Sequence, residues 1–197
     1  MSTARKLKLT EAEYLANENA SEFRSEFYDG EVFAMTGGSV KHNRIKENLA
    51  IEIGSRLKGG KCQSFSSDQR VKVQDTGFIA YPDIVIVCGE PNLDETDAYS
   101  IVNPQVIIEI LSPSTQRRDR VFKFGHYQQI PSLKEYILVS QTDMDTEHMV
   151  RNENDRWELT ATWGAEGEFQ LASLPIAIKR ADIFAGVEFP PEATQGT

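Results

Sequence analysis

The sequence predicts an α/β chain organised around a mixed β-sheet flanked by helices, with additional antiparallel strands. Three observations predict it. Residues 106–140 run from an apolar strand through a helical stretch to a second apolar strand, the order of a right-handed crossover between sheet neighbours. From Ser39 to Lys58, Ile45, Leu49, Ile53 and Leu57 recur every four positions, one buried stripe on a helix of about five turns. After Thr146, the runs "EHMVRN", "RWELTATW" and "EFQLASL" read as antiparallel strands.

In chain order, "LTEAEYL" places Thr10 three residues before Glu13, a capping box that opens a short helix ending before Ser21. In "SEFYDGEVFAM", Asp29-Gly30 separates two runs rich in aromatic and β-branched residues, the strongest short-range signal for a hairpin. Gly59-Gly60 stops the long helix. Strands follow at Lys61–Phe65, Arg70–Gln74, Ile84–Cys88 and Val106–Leu111, with a turn at Asp75-Thr76-Gly77 and a polar, acidic loop from Gly89 to Ser100. A helix starts near Ser114 or Thr115 and ends before Pro131; "KEYILVS" is the next strand, and a short helix covers Ala181–Ala185. No internal repeat or linker divides the chain, so residues 1–189 read as one domain and 190–197 as a disordered tail.

The length of 197 residues suits one domain with a substantial core. No window approaches the ~18 apolar residues of a membrane span, and the start lacks the apolar run of an export signal. A cytoplasmic chain is expected, in contact with no membrane. Its two cysteines, Cys62 and Cys88, form no C-x-x-C pair and read as reduced, small buried thiols. The net charge of −9 argues against a general nucleic-acid coat, whose affinity comes from many Lys and Arg contacts to phosphate.

Against this background, two acids stand out. Glu109 lies inside "VIIEIL" and Asp83 opens "IVIVC", yet an unpaired carboxylate in an apolar interior costs several kcal/mol. A divalent cation shared by the two removes that cost. Mg²⁺ takes one or two carboxylates plus waters and phosphate oxygens, and the Ile110 carbonyl is available as a third protein ligand. Such an ion lowers the pKa of water and offsets charge developing on a phosphodiester. Lys123, on the helix after the Glu109 strand, is long enough to reach back and orient the attacking water. The bland readings are that Pro82-Asp83 is turn chemistry, that Glu109 pairs with an arginine or lies on a solvated face, and that Lys123 is a surface lysine.

The blocks "YPDIVIV", "IIEILSPST", "RRDRVFKFGHYQQI" and "SLKEYILV" resemble the Uma2-type (DUF820) group of restriction-endonuclease-like proteins, within the PD-(D/E)xK nuclease superfamily. The resemblance runs from "LTEAEYL" through "DIFAGV". It implies a restriction-endonuclease-like mixed central sheet, DNA as partner and substrate, Mg²⁺ or Mn²⁺ as cofactor, and Asp83 and Glu109 as the metal-binding acids. The superfamily pattern puts lysine two residues after the second acid, where this chain has Leu111; the resemblance moves that role to Lys123 in "DRVFKFGHY".

Further candidates surround this set. Glu31 matches an upstream acid of such nucleases or is an exposed strand residue. His42, between Lys41 and Arg44 in the sequence's basic run, is a site residue or a lone surface histidine. Tyr127, one turn beyond Lys123, is placed to brace it. Arg117, Arg118 and Arg120 form the one dense basic cluster, suited to phosphate contact or to a solvated face. Asp68 and Arg70 read as a structural pair. The reading is a metal-dependent DNA endonuclease, with a homodimer among its partners. Its rivals are a non-catalytic nucleic-acid-binding module and a structural protein whose acids pair with arginines.

Overall fold

Thr10 caps the first helix as the capping box requires: its hydroxyl accepts the Glu13 N–H at 3.2 Å, and Glu13 accepts the Thr10 N–H at 2.7 Å. The computed structural model describes residues 8–189; the expected tail at 190–197 lies outside them. Helix α1 (Glu11–Ala20) precedes the hairpin of β1 (Ser25–Tyr28) and β2 (Glu31–Ala34). Asp29 (φ +46°) and Gly30 (φ +78°) both sit in the left-handed region that a two-residue turn between twisted strands demands. Ser39 caps α2 (Val40–Leu57), and its Ile45, Leu49 and Ile53 are buried.

Strands β3 (Cys62–Ser66), β4 (Arg70–Val73), β5 (Phe78–Ala80), β6 (Ile84–Cys88), β7 (Leu93–Asp94), β8 (Asp97–Ile101) and β9 (Val106–Leu111) follow. A π-helical stretch, Arg118–Lys123, runs into α3 (Phe124–Tyr127). After it come β10 (Glu135–Ser140), β11 (Thr146–Arg151), β12 (Trp157–Thr162), β13 (Glu168–Gln170), β14 (Ala177–Lys179) and α4 (Arg180–Ile183).

The strands form two mixed six-stranded sheets, ordered β2-β1-β5-β4-β8-β7 and β12-β11-β10-β9-β6-β3, beside a small β13-β14 pair. The expected strand–helix–strand unit is present: β9 and β10 are parallel neighbours, joined through the π-helical stretch and α3. Side chains alternate across β9. Val106, Ile108 and Ile110 pack with the α2 stripe, while Ile107 and Leu111 join Tyr127, Tyr136 and Leu138 on the opposite side. Every residue of β9 is buried, Glu109 included. No helix among the described residues is long and apolar enough to cross a membrane.

Four expectations are corrected. Residues 89–100 are not simply a loop: β7 and β8 form a hairpin there, with Asp94 and Asp97 buried. These acids tolerate burial because β4 supplies their cations, Lys72 to Asp94 at 2.9 Å and Arg70 to Asp97 at 2.7 Å. Arg70 therefore does not pair with Asp68, which instead lies 3.9 Å from Arg24. The helix after "SPST" is not regular: Phe124 N–H donates to the carbonyl of Asp119, five residues back. Finally, Cys62 and Cys88 are not free thiols. They face each other across β3 and β6 and are joined as a disulfide spanning 26 residues.

Candidate active site

The antiparallel pairing of β6 with β9 ends at Ile84 opposite Ile108, which leaves the next N–H on that edge, that of Ile110, without a strand partner. The Asp83 side chain takes its place: Oδ2 accepts the Ile110 N–H at 2.8 Å. The same oxygen lies 3.2 Å from His42 Nε2, which the first turn of α2 projects toward it.

Glu109 stands on the opposite face of β9 from Ile110 and is met by the helical segment. Lys123 Nζ donates to Glu109 Oε1 at 2.9 Å, and the Tyr127 hydroxyl donates to that oxygen at 3.3 Å. Tyr127 therefore braces the acid rather than the lysine. Lys123 is shared: its ammonium is also 2.9 Å from Glu26 Oε1 and 3.3 Å from Asp119 Oδ1. Arg118 donates to Glu26 Oε2 at 3.1 Å, with its guanidinium 3.9 Å from the Phe33 ring centre and 4.5 Å from that of Phe122.

These groups line a cavity of about 760 Å³ whose wall includes Asp83, Glu109, Ile110, Lys123, Asp119 and His42. Burial pushes the Glu109 carboxyl well above the usual carboxylate range; Lys123 opposes the rise, and the acids Asp119, Asp83 and Glu26 add to it. For Lys123, burial alone would favour loss of the proton, but Glu109, Glu26 and Asp119 outweigh it and hold its pKa well above that of a free lysine. The ammonium is thus a fixed charge.

The donor set fits a divalent cation by a simple count. Four carboxyl groups, those of Glu26, Asp83, Glu109 and Asp119, share the cavity with three cationic side chains, Lys46, Arg118 and Lys123, so the acids remain in excess by one. No hydrogen bond from a described residue reaches Asp83 Oδ1 or Glu109 Oε2, so each acid keeps one oxygen for a ligand. Among the described residues no three His, Cys, Asp or Glu side chains are gathered tightly enough to hold an ion unaided. Two carboxylates completed by a backbone carbonyl and water are the arrangement Mg²⁺ tolerates and a zinc site does not.

The structure brings Asp83, Glu109, Ile110, Lys123, Tyr127, His42 and Arg118 together and leaves other candidates outside. Glu31 is exposed, opposite Tyr28 on the hairpin, and does not line the cavity. The acid that the hairpin does deliver is Glu26, which pairs across to Phe33 and is 5% exposed. Arg120 turns away to Glu147 at 2.7 Å, and Arg117 is exposed beyond the cavity wall. Asp119 also went unread. Its signal was present: an acid four residues before Lys123, enclosed by three arginines. For Glu26, the signal was an acid in a short strand whose next residues, Phe27 and Tyr28, are aromatic.

Residues 11–181 match the Uma2 family, described as "Putative restriction endonuclease". Two proteins of Synechocystis sp. (strain ATCC 27184 / PCC 6803 / Kazusa) are similar along nearly their full lengths. "Uncharacterized protein sll1609" is 34% identical over 172 residues, 85% of this chain and 95% of that protein. "Uncharacterized protein slr1290" is 32% identical over 182 residues, 92% of this chain and 94% of that one. The fold is similar to a crystal structure described as a putative nuclease belonging to DUF820 from Anabaena variabilis ATCC 29413, with TM-score 0.73 and 18% identity over 89% of this chain and 97% of the other.

Proposed function

The chain belongs to the Uma2 family, and from that premise we propose that it is a metal-dependent endonuclease hydrolysing phosphodiester bonds of DNA. The observation that carries this reading is the pair of ligand-free oxygens, Asp83 Oδ1 and Glu109 Oε2, beside the buried ammonium of Lys123. Asp83, Glu109 and the Ile110 carbonyl would hold Mg²⁺ or Mn²⁺. When bound, the ion supplies Lewis-acid stabilisation of the phosphoryl oxygens and makes water more acidic.

The chain's own residues do the rest. Ile110 N–H and His42 fix the Asp83 carboxylate from one side, so its free oxygen has a set direction. Tyr127 and Lys123 fix Glu109 in the same way. In this reading Lys123, held as an ammonium, would orient the attacking water and offset negative charge as the phosphate becomes pentacovalent. Glu26 and Asp119 keep the ammonium aimed at the acids rather than at solvent.

The test is cleavage of labelled DNA with Mg²⁺ or Mn²⁺ by the wild type, Asp83→Asn and Glu109→Gln, with metal binding followed by calorimetry. The expected result is cleavage by the wild type alone and weakened metal binding in both variants. Cleavage at the wild-type rate by the combined Asp83→Asn/Glu109→Gln variant would overturn the site. Metal binding without cleavage of any DNA would leave a nucleic-acid-binding module in its place.

A further inference from the structure

Helix α2 carries two stripes. One, Ile45, Leu49 and Ile53, is core; the other, Ser39, His42, Asn43 and Lys46, is polar and lines the cavity at spacings of i, i+3, i+4 and i+7. The polar stripe begins at the candidate metal acids, through His42, and ends at Lys46. Three Lys or Arg residues line the cavity. Lys123 and Arg118 are held by carboxylates, whereas Lys46 donates to the neutral hydroxyl of Ser67 at 2.8 Å, and among the described residues it has no carboxylate within ion-pair distance.

We propose that Lys46 and Ser67 form a subsite for a backbone phosphate of the nucleic-acid strand, adjacent to the one held at Asp83 and Glu109. The subsite rests on the phosphodiesterase reading. An ammonium in the wall of a cavity otherwise rich in acids, and lacking an acid of its own, is matched by an anion that arrives with the ligand. Lys46 uses one of its three N–H donors on Ser67; the Ser67 hydroxyl accepts that bond and keeps its own proton for a phosphate oxygen. His42 and Lys46 are separated by one helical turn, about 6 Å along the axis. A rise of that order is comparable to the spacing of successive phosphates on an extended strand, and it is the ground for taking the ligand class to be a polynucleotide backbone.

The test measures binding of a fluorescent single-stranded oligothymidylate across a salt series, in a Glu109→Gln background that blocks turnover. Adding Lys46→Gln should weaken binding about tenfold at low salt. It should also reduce the slope of log K against log salt by about 0.7, the value of one single-strand phosphate contact. Lys46→Arg should restore the slope. A slope unchanged by Lys46→Gln would overturn the subsite. If that happened while Asp83→Asn still abolished cleavage by otherwise unaltered protein, the phosphodiesterase reading would stand alone. If the wild type neither bound nor cleaved any oligonucleotide, both would fall.

Discussion

The Asp83 carboxylate substitutes for a strand: its Oδ2 accepts the Ile110 N–H at 2.8 Å just past the last residues that β6 pairs with β9. One side chain thus completes a sheet edge and orients a candidate metal ligand. The two roles separate by substitution. Asp83→Ala strands a buried N–H and should cost about 1–3 kcal/mol of stability in urea titration, while Asp83→Asn, which keeps an acceptor, should stay within about 1 kcal/mol of the wild type. Both should lose cleavage. Equal destabilisation by the two would mean that the hydrogen bond does not matter to the fold.

Lys123 sits among three acids, so its removal should hurt stability as well as rate. Lys123→Ala leaves Glu26, Glu109 and Asp119 without their shared ammonium, a loss of about 3–5 kcal/mol. Turnover should fall by a factor of about 10² or more. Lys123→Arg should recover little, because a planar guanidinium does not reproduce a compact point charge. Leu111 shares the Glu109 face of β9, so Leu111→Lys added to Lys123→Ala supplies an ammonium from the strand and should regain part of the activity. Full cleavage by Lys123→Ala alone would remove this lysine from the mechanism.

Acid lability should trace in part to Asp94. Burial alone would raise its pKa, but the Thr96 hydroxyl and N–H and the Lys72 ammonium hold it down at about 2, against an ordinary 3.8. A carboxylate depressed in the folded state favours folding wherever it is ionised. Its contribution is complete above about pH 4 and disappears as pH falls through about 2. Thermal unfolding between pH 2 and 5 should therefore show a steeper loss for the wild type than for Asp94→Asn, and parallel curves would contradict the assignment.

Reduction should also weaken the fold. The Cys62–Cys88 bridge closes a segment of 26 residues, worth about 3–4 kcal/mol in chain entropy. Unfolding midpoints with and without dithiothreitol should differ accordingly, and Cys62→Ser/Cys88→Ser should match the reduced protein. Insensitivity to reductant would show that the thiols remain unpaired in solution.

Elements whose information is local were legible in the sequence. The Thr10 capping box, the Asp29-Gly30 turn, the four-residue spacing from Ile45 to Leu57 and the apolar run around Glu109 each specify structure within a few residues. What escaped depends on distant partners. Strands β7 and β8 read as a solvated loop because nothing near Asp94 and Asp97 announces Lys72 and Arg70. The disulfide escaped because its cysteines meet only through the β3–β6 register. At the candidate site, Glu109 inside one apolar run and Asp83 at the head of another stood out by their oddity, whereas Lys123 was reached only by its place on the following helix and the family resemblance. Glu26 was not, because only the pairing of β1 with β2 distinguishes it from the exposed Glu31. The π-helical stretch had no readable signal: its sequence, "RDRVFK", suits an ordinary helix equally well.

Strand β9 has no residue at the surface, and both of its faces are packed. The candidate acid Glu109 is therefore mounted on a fully packed strand, while the hairpin end, the Gly37-Gly38 segment and the Ser112–Thr115 turn form a rim around the cavity. Floor and rim differ in packing: β9 is buried throughout, whereas the rim residues stand at the cavity mouth. If the proposed chemistry holds, such a scaffold would keep Glu109 fixed while residues at the mouth set which ligands enter.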